Sequence, residues 1–442
     1  MSRWAPCPPG SFLSRPEHRP PYRSEVIPTA TSTRPAPRGD RPRVLVIVQN
    51  LPVPFDRRVR LECLALLEAG YDVSVICPKG PGDPRRHVVD GIKLFKYTPY
   101  PPTQAKVGFL AEYVWSFLMT AWLAVRVWRQ GRFEVLQACN PPDIFWPLAI
   151  LFRLLGGTRF VYDQHDLCPE LYESRFVDGA RLPYRGLRFL ERRTYNAADH
   201  VISTNGSYRD IALARGGKGP DEVTIVRTGP DPSHLRRVEP DPSLLRGHRH
   251  LACYIGVMGP QDGVDIAVRA AARIVHDLGR TDIGFILMGS GDCFDDMVAL
   301  ARRLDVSDHV TFTGRVPDEM VARVMSTAAV GLSPDPKNPL NDVSTMNKTM
   351  EYMAYELPVG AFDLRETRVS AGDAAVYAEP NDVDRYADAI VELIDDAPRR
   401  AAMGARGRAR VETRLAWAHQ QAAYVAVYDG LTTRLATTAT VG

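Results

Sequence analysis

Lys348 and Glu351 stand three residues apart in LSPDPKNPLNDVSTMNKTMEYMAYELPVGAFDLR (332–365). On a helix that spacing places both on roughly one face. An ammonium suits phosphate and a carboxylate suits sugar hydroxyls, so the pair fits a nucleotide-sugar ligand. A short apolar run, Ala328 to Leu332, ends in a Pro/Asn/Asp loop. Ser344 or Thr345 then reads as a helix N-cap. The helix is expected through Glu356, and Pro358 leads into a second apolar run. The order is strand, loop, helix, strand. Loop and helix N-terminus then lie at the carboxyl end of a parallel strand, where open α/β sheets bind ligands and where helix ends favour anions. A solvated Lys–Glu pair on an ordinary amphipathic helix has the same spacing, so the rest of the chain must decide.

Other reactive residue types are spread thinly. TRFVYDQHDLCPELYESR (158–175) reads as a strand ending in a polar loop that holds His165 and Asp166. Asp382 and Asp384 form a D-x-D, but at the start of a late helix, where an N-cap is the simpler role. The seven cysteines include no C-x-x-C pair, and the ten histidines form no metal-ligand spacing. Cys63, Cys77, Cys139 and Cys253 sit in apolar patterns and read as buried thiols of a reducing compartment. No metal site and no cofactor are expected. A net charge of +3 is too small to imply a nucleic-acid partner, and none is expected.

The elements that must position these residues alternate between β and α. Residues 1–42 carry ten prolines and seven arginines with no apolar h-region, so they read as a disordered basic arm, not a signal peptide. RVLVIV (43–48) is a buried strand, VRLECLALLEAG (59–70) a helix closed by Gly70, and YDVSVICP (71–78) a second strand. Its first turn lacks G-x-G-x-x-G. Strands follow at 91–97, 133–139, 158 onward, 199–205 and 222–231. A helix at 107–130 is long and apolar, with Glu112 near its start and Arg126, Arg129 and Arg132 at its end. It fits core packing, then peripheral membrane contact through aromatic anchors, and last a membrane span. Residues 231–248 are a Pro/Asp/Arg-rich linker, after which the alternation restarts. Two similar α/β domains result, with a cleft between them as the default ligand site.

With this order in place the chain resembles a retaining family 4 glycosyltransferase of the GT-B fold. The motifs are D-R-R-V-R-x-E-C (56–63), DQHDLCPE (163–170), VRTGPD (226–231), YIGVMGPQDGVD (254–265), MGSGD (288–292), VTFTGRVP (310–317) and NKTMEYMAYELPV (347–359). The resemblance covers about residues 43–430. It implies two doubly wound Rossmann-like domains facing across a cleft: an acceptor-side domain at 43–230, the linker at 231–248, a donor-binding domain at 249–412, and a C-terminal helix at 413–442 returning to the first domain. It implies transfer of a hexosyl or N-acetylhexosaminyl group from a nucleotide-sugar, most simply a UDP-sugar, without a metal. The acceptor is a sugar, a lipid-linked molecule or a small molecule. The expected location is the cytoplasm or the inner face of the cell membrane.

Residue by residue, the resemblance puts Glu351 on the ribose hydroxyls and Lys348 on the phosphates. Ser344, Thr345 and Met346 offer backbone N–H groups to phosphate or sugar. His165 contacts the transferred sugar or relays a proton, with Asp56, Arg57 and Asp166 on the acceptor side. Arg227 faces the diphosphate, and Gly256, Gly259 and Gly289 form turns at the donor. Three departures stand out. Val343 occupies the place of the first Glu of Glu-x7-Glu, so Asp342 or Asn341 takes over the sugar hydroxyls only if the loop is reshaped. Val257 and Asp262 occupy the places of the usual Arg and Lys. These gaps keep two alternatives open: a non-catalytic nucleotide-sugar-binding module, and a UDP-sugar 2-epimerase on a related fold. The GPQDGVD version resembles enzymes of bacterial surface-polysaccharide and specialised-glycoside assembly.

Overall fold

Runs of Val, Ile and Leu that are buried on both faces form parallel strands, and they nucleate two separate sheets. The computed structural model describes residues 41–101, 106–176 and 180–440. Apart from Arg41 and Pro42, the expected basic arm lies outside the described residues. The chain divides into two compact units. The first comprises the described parts of residues 11–168, 185–226 and 421–442, and the second those of 169–184 and 227–420.

The first unit contains β1 (Arg43–Ile47), α1 (Arg57–Glu68), β2 (Asp72–Pro78), β3 (Arg86–Val89), β4 (Ile92–Tyr97), α2 (Lys106–Gln130), β5 (Val135–Cys139), α3 (Trp146–Gly156) and β6 (Arg159–Gln164). Then come α4 (Cys168–Arg175) and α5 (Arg181–Ala197), which lead back to β7 (His200–Ser203), α6 (Gly206–Ala214) and β8 (Val223–Ile225). The sheet order is β3-β4-β2-β1-β5-β6-β7-β8, parallel except for β3 on β4. That edge hairpin turns at Asp90–Gly91, both at positive φ. The sequence reading has no strand at 86–89 and no helix at 168–175. Gly70, at φ +92°, ends α1, as its position predicts.

The second unit contains β9 (His250–Ile255), α7 (Val264–Ala272), β10 (Ile283–Met288), α8 (Phe294–Arg303), β11 (Val310–Gly314), α9 (Asp318–Thr327), β12 (Val330–Ser333), α10 (Asn347–Ala354), β13 (Val359–Phe362), α11 (Arg365–Ala371), β14 (Ala375–Ala378), α12 (Val383–Asp395) and α13 (Ala397–Arg410). Its order, β11-β10-β9-β12-β13-β14, is wholly parallel. The chain winds outward from β9 in one direction and from β12 in the other, so the switch point lies between these two strands. Residues 231–248 lie against this unit: the Val238 N–H donates to Ser326 Oγ (2.9 Å) and the Asp241 N–H to Thr327 Oγ1 (2.8 Å). Asp382 caps α12 by accepting from the Arg385 N–H, which accounts for the D-x-D. The last helix, α14 (Trp417–Thr440), runs from the second unit into the first at Gln421.

The span alternative at 107–130 is not supported: among the described residues, no helix is long and apolar enough to cross a membrane.

Candidate functional site

Lys348 sits at the switch point of the second sheet, and Tyr352 puts it there. The Tyr352 ring lies over Gly331 of β12, where any Cβ would stand 2.5 Å from the ring. Its hydroxyl donates to the Leu332 carbonyl (2.9 Å) and accepts the Ile255 N–H (3.0 Å). One side chain therefore ties α10 to both β9 and β12. One turn earlier, Lys348 Nζ reaches Asp335 Oδ1 at 2.5 Å and lies 5.2 Å from the Tyr254 ring centroid. Asp335 is fully buried, and its second oxygen accepts from Ser333 Oγ (2.7 Å). Glu351 is half-buried one turn further along α10.

The loops flanking Lys348 are stitched together. Buried Asn341 donates to the carbonyls of Gln261 (2.9 Å) and Pro336 (2.8 Å). A Cβ at Gly263, where φ is +67°, would meet the Pro334 carbonyl at 2.1 Å. Asp262, in the place of the usual Lys, accepts the Gly259 N–H (2.9 Å). Burial pushes its carboxyl up to about 6, even with the Lys348 ammonium nearby to oppose the rise. The turn glycines have an internal reason: a Cβ on Gly289 would lie 1.8 Å from the Gly256 carbonyl oxygen. Gly256, Gly259 and Gly289 thus shape the turns through protein–protein contacts.

Arg227 belongs to the same unit. Its guanidinium reaches Thr345 Oγ1 and the buried Glu366 carboxylate, each at 3.4 Å. The structure therefore brings Arg227, Thr345, Lys348, Glu351 and Gly256 to one end of one sheet. It corrects the expected bounds of α10. The α10 N-cap position falls on Met346, because Ser344 Oγ donates back to the Leu340 carbonyl (2.8 Å), and the helix ends at Ala354. Asp342, expected on the sugar hydroxyls, accepts the Arg365 N–H (3.0 Å) at the start of α11 through Oδ1. A cavity of about 380 Å³ lies at the opposite, amino end of this sheet, bordered by His250, Tyr355 and Pro358.

In the first unit, His165 follows β6 at the carboxyl edge of its sheet. The Asn140 carboxamide oxygen accepts the backbone N–H groups of His165 (2.7 Å) and Asp166 (3.1 Å), fixing the loop. The ring Nε2 lies 2.6 Å from Asp163 Oδ2. Arg58, buried on α1, donates to Asp163 Oδ1 and to the Val226 carbonyl, both at 2.9 Å, and sits 2.9 Å from Glu62. Burial opposes charging of the imidazole, but Asp163 outweighs it and raises His165 above the usual histidine range. Asp163 is held far below the usual carboxylate range, because Arg58 and His165 outweigh its burial. Burial and then Asp163 push the Glu62 carboxyl up to about 8.

Glu62, Cys139, Asp163 and His165 approach one another within 4.8 Å. The Arg58 guanidinium already neutralises two of them, and a divalent cation there would face a fixed positive charge. Asp56 serves α1 as its N-cap, accepting the Val59 N–H (3.1 Å), and Arg57 is exposed beside it. Sequence reading missed Arg58, Glu62, Gln137 and Asp163. Two signals were available: the i,i+4 Arg–Glu pair on a helix, and the i,i+2 spacing of Asp163 and His165 at a strand end.

Both halves of the chain match known protein families. The family described as Glycosyl transferase 4-like domain matches residues 55–229, and Glycosyl transferases group 1 matches residues 249–396. A GDP-mannose-dependent monoacylated alpha-(1-6)-phosphatidylinositol monomannoside mannosyltransferase of Corynebacterium glutamicum is 32% identical over 163 residues, 36% of this chain and 41% of the relative. A D-inositol 3-phosphate glycosyltransferase of Thermobispora bispora is 22% identical over 396 residues, 85% of this chain and 90% of the relative. The matched region spans less than half the length of the first curated relatives. Among solved structures, a sucrose-phosphate synthase from Thermosynechococcus elongatus superposes with a TM-score of 0.73 at 18% identity, covering 89% of this chain and 100% of that one.

Proposed function

Because the chain belongs to the family 4 glycosyltransferases of the GT-B fold, we propose that it moves a hexosyl or N-acetylhexosaminyl group from a nucleoside-diphosphate sugar to an acceptor hydroxyl. Transfer proceeds with retention and without a metal. The observation that carries this reading is the placement of Lys348 at the β9–β12 switch point, with Arg227 bonded to Thr345 just before α10. The acceptor hydroxyl attacks the anomeric carbon on the face the diphosphate leaves. The bond from that carbon to phosphate oxygen breaks, and the electron pair departs with the diphosphate. The hydroxyl proton passes to the departing phosphate oxygen. Lys348, Arg227 and backbone N–H groups near the start of α10 stabilise the growing phosphate charge. Glu351 binds the ribose hydroxyls. For His165 the proposed role is that of a hydrogen-bonding or proton-relaying group.

The donor proposed is a UDP-sugar, and the Corynebacterium relative's name sets GDP-mannose beside it as the competitor. Thermal shifts with UDP, GDP, ADP and dTDP, and with their sugars, separate them. A nucleotide at a hundred times its Kd stabilises by about 2.7 kcal/mol. UDP is expected to stabilise the protein and UDP-sugar to be turned over. Stabilisation by GDP alone changes the base, and stabilisation by none removes the donor site.

The acceptor proposed is lipid-linked, reached at an anionic membrane surface. On α2, Val114, Trp115, Leu118, Trp122 and Val125 are exposed at helical spacing, followed by exposed Arg126 and Arg129. Neighbouring α3 exposes Leu151, Leu154 and Leu155, and α5 adds exposed Arg185, Arg192 and Arg193. Trp128 of α2 packs on Phe152 of α3 (5.1 Å), and Arg193 of α5 lies over Trp146 of α3 (5.0 Å). An apolar stripe edged by arginine suits an anionic bilayer. Leu118→Ser with Trp122→Ser is expected to weaken sedimentation with phosphatidylglycerol-containing vesicles by about tenfold or more, since burying one such side chain is worth about 1.5–3 kcal/mol. Equal binding by variant and parent would remove the docking face.

A further inference from the structure

His165 is connected to the C-terminal helix through buried polar groups. On α14, Tyr424 and Tyr428 are one turn apart and fully buried, with ring centroids 5.0 Å from each other. Both hydroxyls donate to Gln137 Oε1 on β5, Tyr424 at 2.7 Å. That fixes which way the carboxamide points. Gln137 Nε2 then donates to Glu62 Oε2 and Asp163 Oδ2, each at 2.9 Å. Asp163 Oδ2 is the oxygen that meets His165 Nε2.

We propose that Tyr424 and Tyr428 are positioning residues for His165: through Gln137 they orient Asp163, which holds imidazole Nε2–H and leaves Nδ1 as the working nitrogen. The geometry favours this tautomer. A bare Nε2 lone pair 2.6 Å from a carboxylate oxygen would be repelled, whereas an Nε2–H donates to it. Arg58 Nε–H is also directed at this nitrogen, at 3.1 Å, while Glu62 Oε1, 2.9 Å from Arg58 Nε, accepts no hydrogen bond among the described residues. The shorter 2.6 Å approach of Asp163 outweighs that contact and keeps the ring proton on Nε2. The groups facing the imidazole and its carboxylate partner are Arg58 and Glu62 on α1, Asp163 on β6, Cys139 on β5 (3.6 Å from Asp163 Oδ2), and the two tyrosines behind Gln137. Among these, Asp163 makes the direct contact and dominates the imidazole's response. Weakening a donor to Asp163 strengthens that carboxylate's hold on the ring proton.

The proposal rests on the reading of His165 as a working residue in sugar transfer, and its test is independent of turnover. In the full chain with Tyr424→Phe and Tyr428→Phe, the rings remain and both hydroxyls are gone. Nitrogen-15 NMR of His165, assigned with His165→Gln, then reads the tautomer and the titration. The expected result is an upward shift of the titration by about half a unit or more, because a less stabilised Asp163 holds the Nε2 proton more strongly. Tyr71→Phe is the control: Tyr71 bonds Asp429 on α14 at 2.6 Å, so its loss loosens the same helix and leaves Gln137 untouched. His165 should titrate there as in the parent. Should the double variant fail to fold, Tyr424→Phe alone shifts the titration in the same direction by less. An unchanged or downward titration in the double variant, or an equal shift in Tyr71→Phe, overturns the proposal. A shifted titration with parental turnover upholds the positioning and removes His165 from the transfer reaction.

Discussion

Lys348→Ala will lower donor turnover by about 10²–10³-fold, the cost of losing one preorganised group at a developing anion. It will also destabilise the protein, and the two effects have different origins. Asp335 is fully buried, and its partners are Lys348 and the Ser333 hydroxyl. Without the ammonium it becomes an uncompensated buried carboxylate, worth about 3–5 kcal/mol of lost stability. Alanine therefore confuses the catalytic role with the structural one. Lys348→Met with Asp335→Asn separates them. The methionine keeps much of the lysine stem's volume between Tyr254 and Gly256, and the asparagine still accepts from Ser333. Urea unfolding of this double variant should recover most of the lost stability, while release of nucleoside diphosphate stays about 10²–10³-fold down. Parental turnover in the double variant would mean that the ammonium serves only Asp335, and that Arg227 alone meets the phosphates.

Much of the fold was legible because buried parallel strands are continuous apolar runs, and both sheets are built of them. What escaped notice lacked that signature. The strand Arg86–Val89 alternates exposed and half-buried residues, and its only sequence mark is the Asp90–Gly91 turn. The helix Cys168–Arg175 has no apolar stripe. The α10 cap was misread because Ser and Thr were weighed by type, whereas the Ser344 hydroxyl satisfies a carbonyl four residues back. At the site, Lys348 and Glu351 could be found from their spacing, but Asp335 could not: it is placed by the turn out of β12, thirteen residues earlier. Likewise the contact of Asp342 with the N-terminus of α11 was hidden, because Arg365 lies 23 residues further on. His165 was visible as a lone histidine at a strand end. Its partners come from α1, β5 and β6, up to 107 residues away in sequence, and only the sheet order brings them together.

That assembly makes Arg58 the most sensitive residue of the first unit. Arg58→Met keeps the stem and removes a buried guanidinium from Asp163, Glu62 and the Val226 carbonyl. Breaking one side of such an arrangement costs about 3–5 kcal/mol. The loss should depend on pH in a set direction. In the parent, the folded Asp163 carboxyl lies below its unfolded value, so it contributes stability above about pH 4 that is lost on acidification. In the variant, burial without Arg58 raises the folded carboxyl above the unfolded value. Its charged form then penalises folding once the pH exceeds about 4, and the penalty grows up to the raised value. Both changes widen the gap between parent and variant as pH rises. Urea midpoints at pH 5 and pH 8 should therefore differ most at pH 8. Arg58→Lys retains a charge but cannot span three acceptors, and should recover only part of the loss. A gap between parent and Arg58→Met that is equal at both pH values would mean that the cost lies in packing, and that Arg58 does not hold Asp163 ionised.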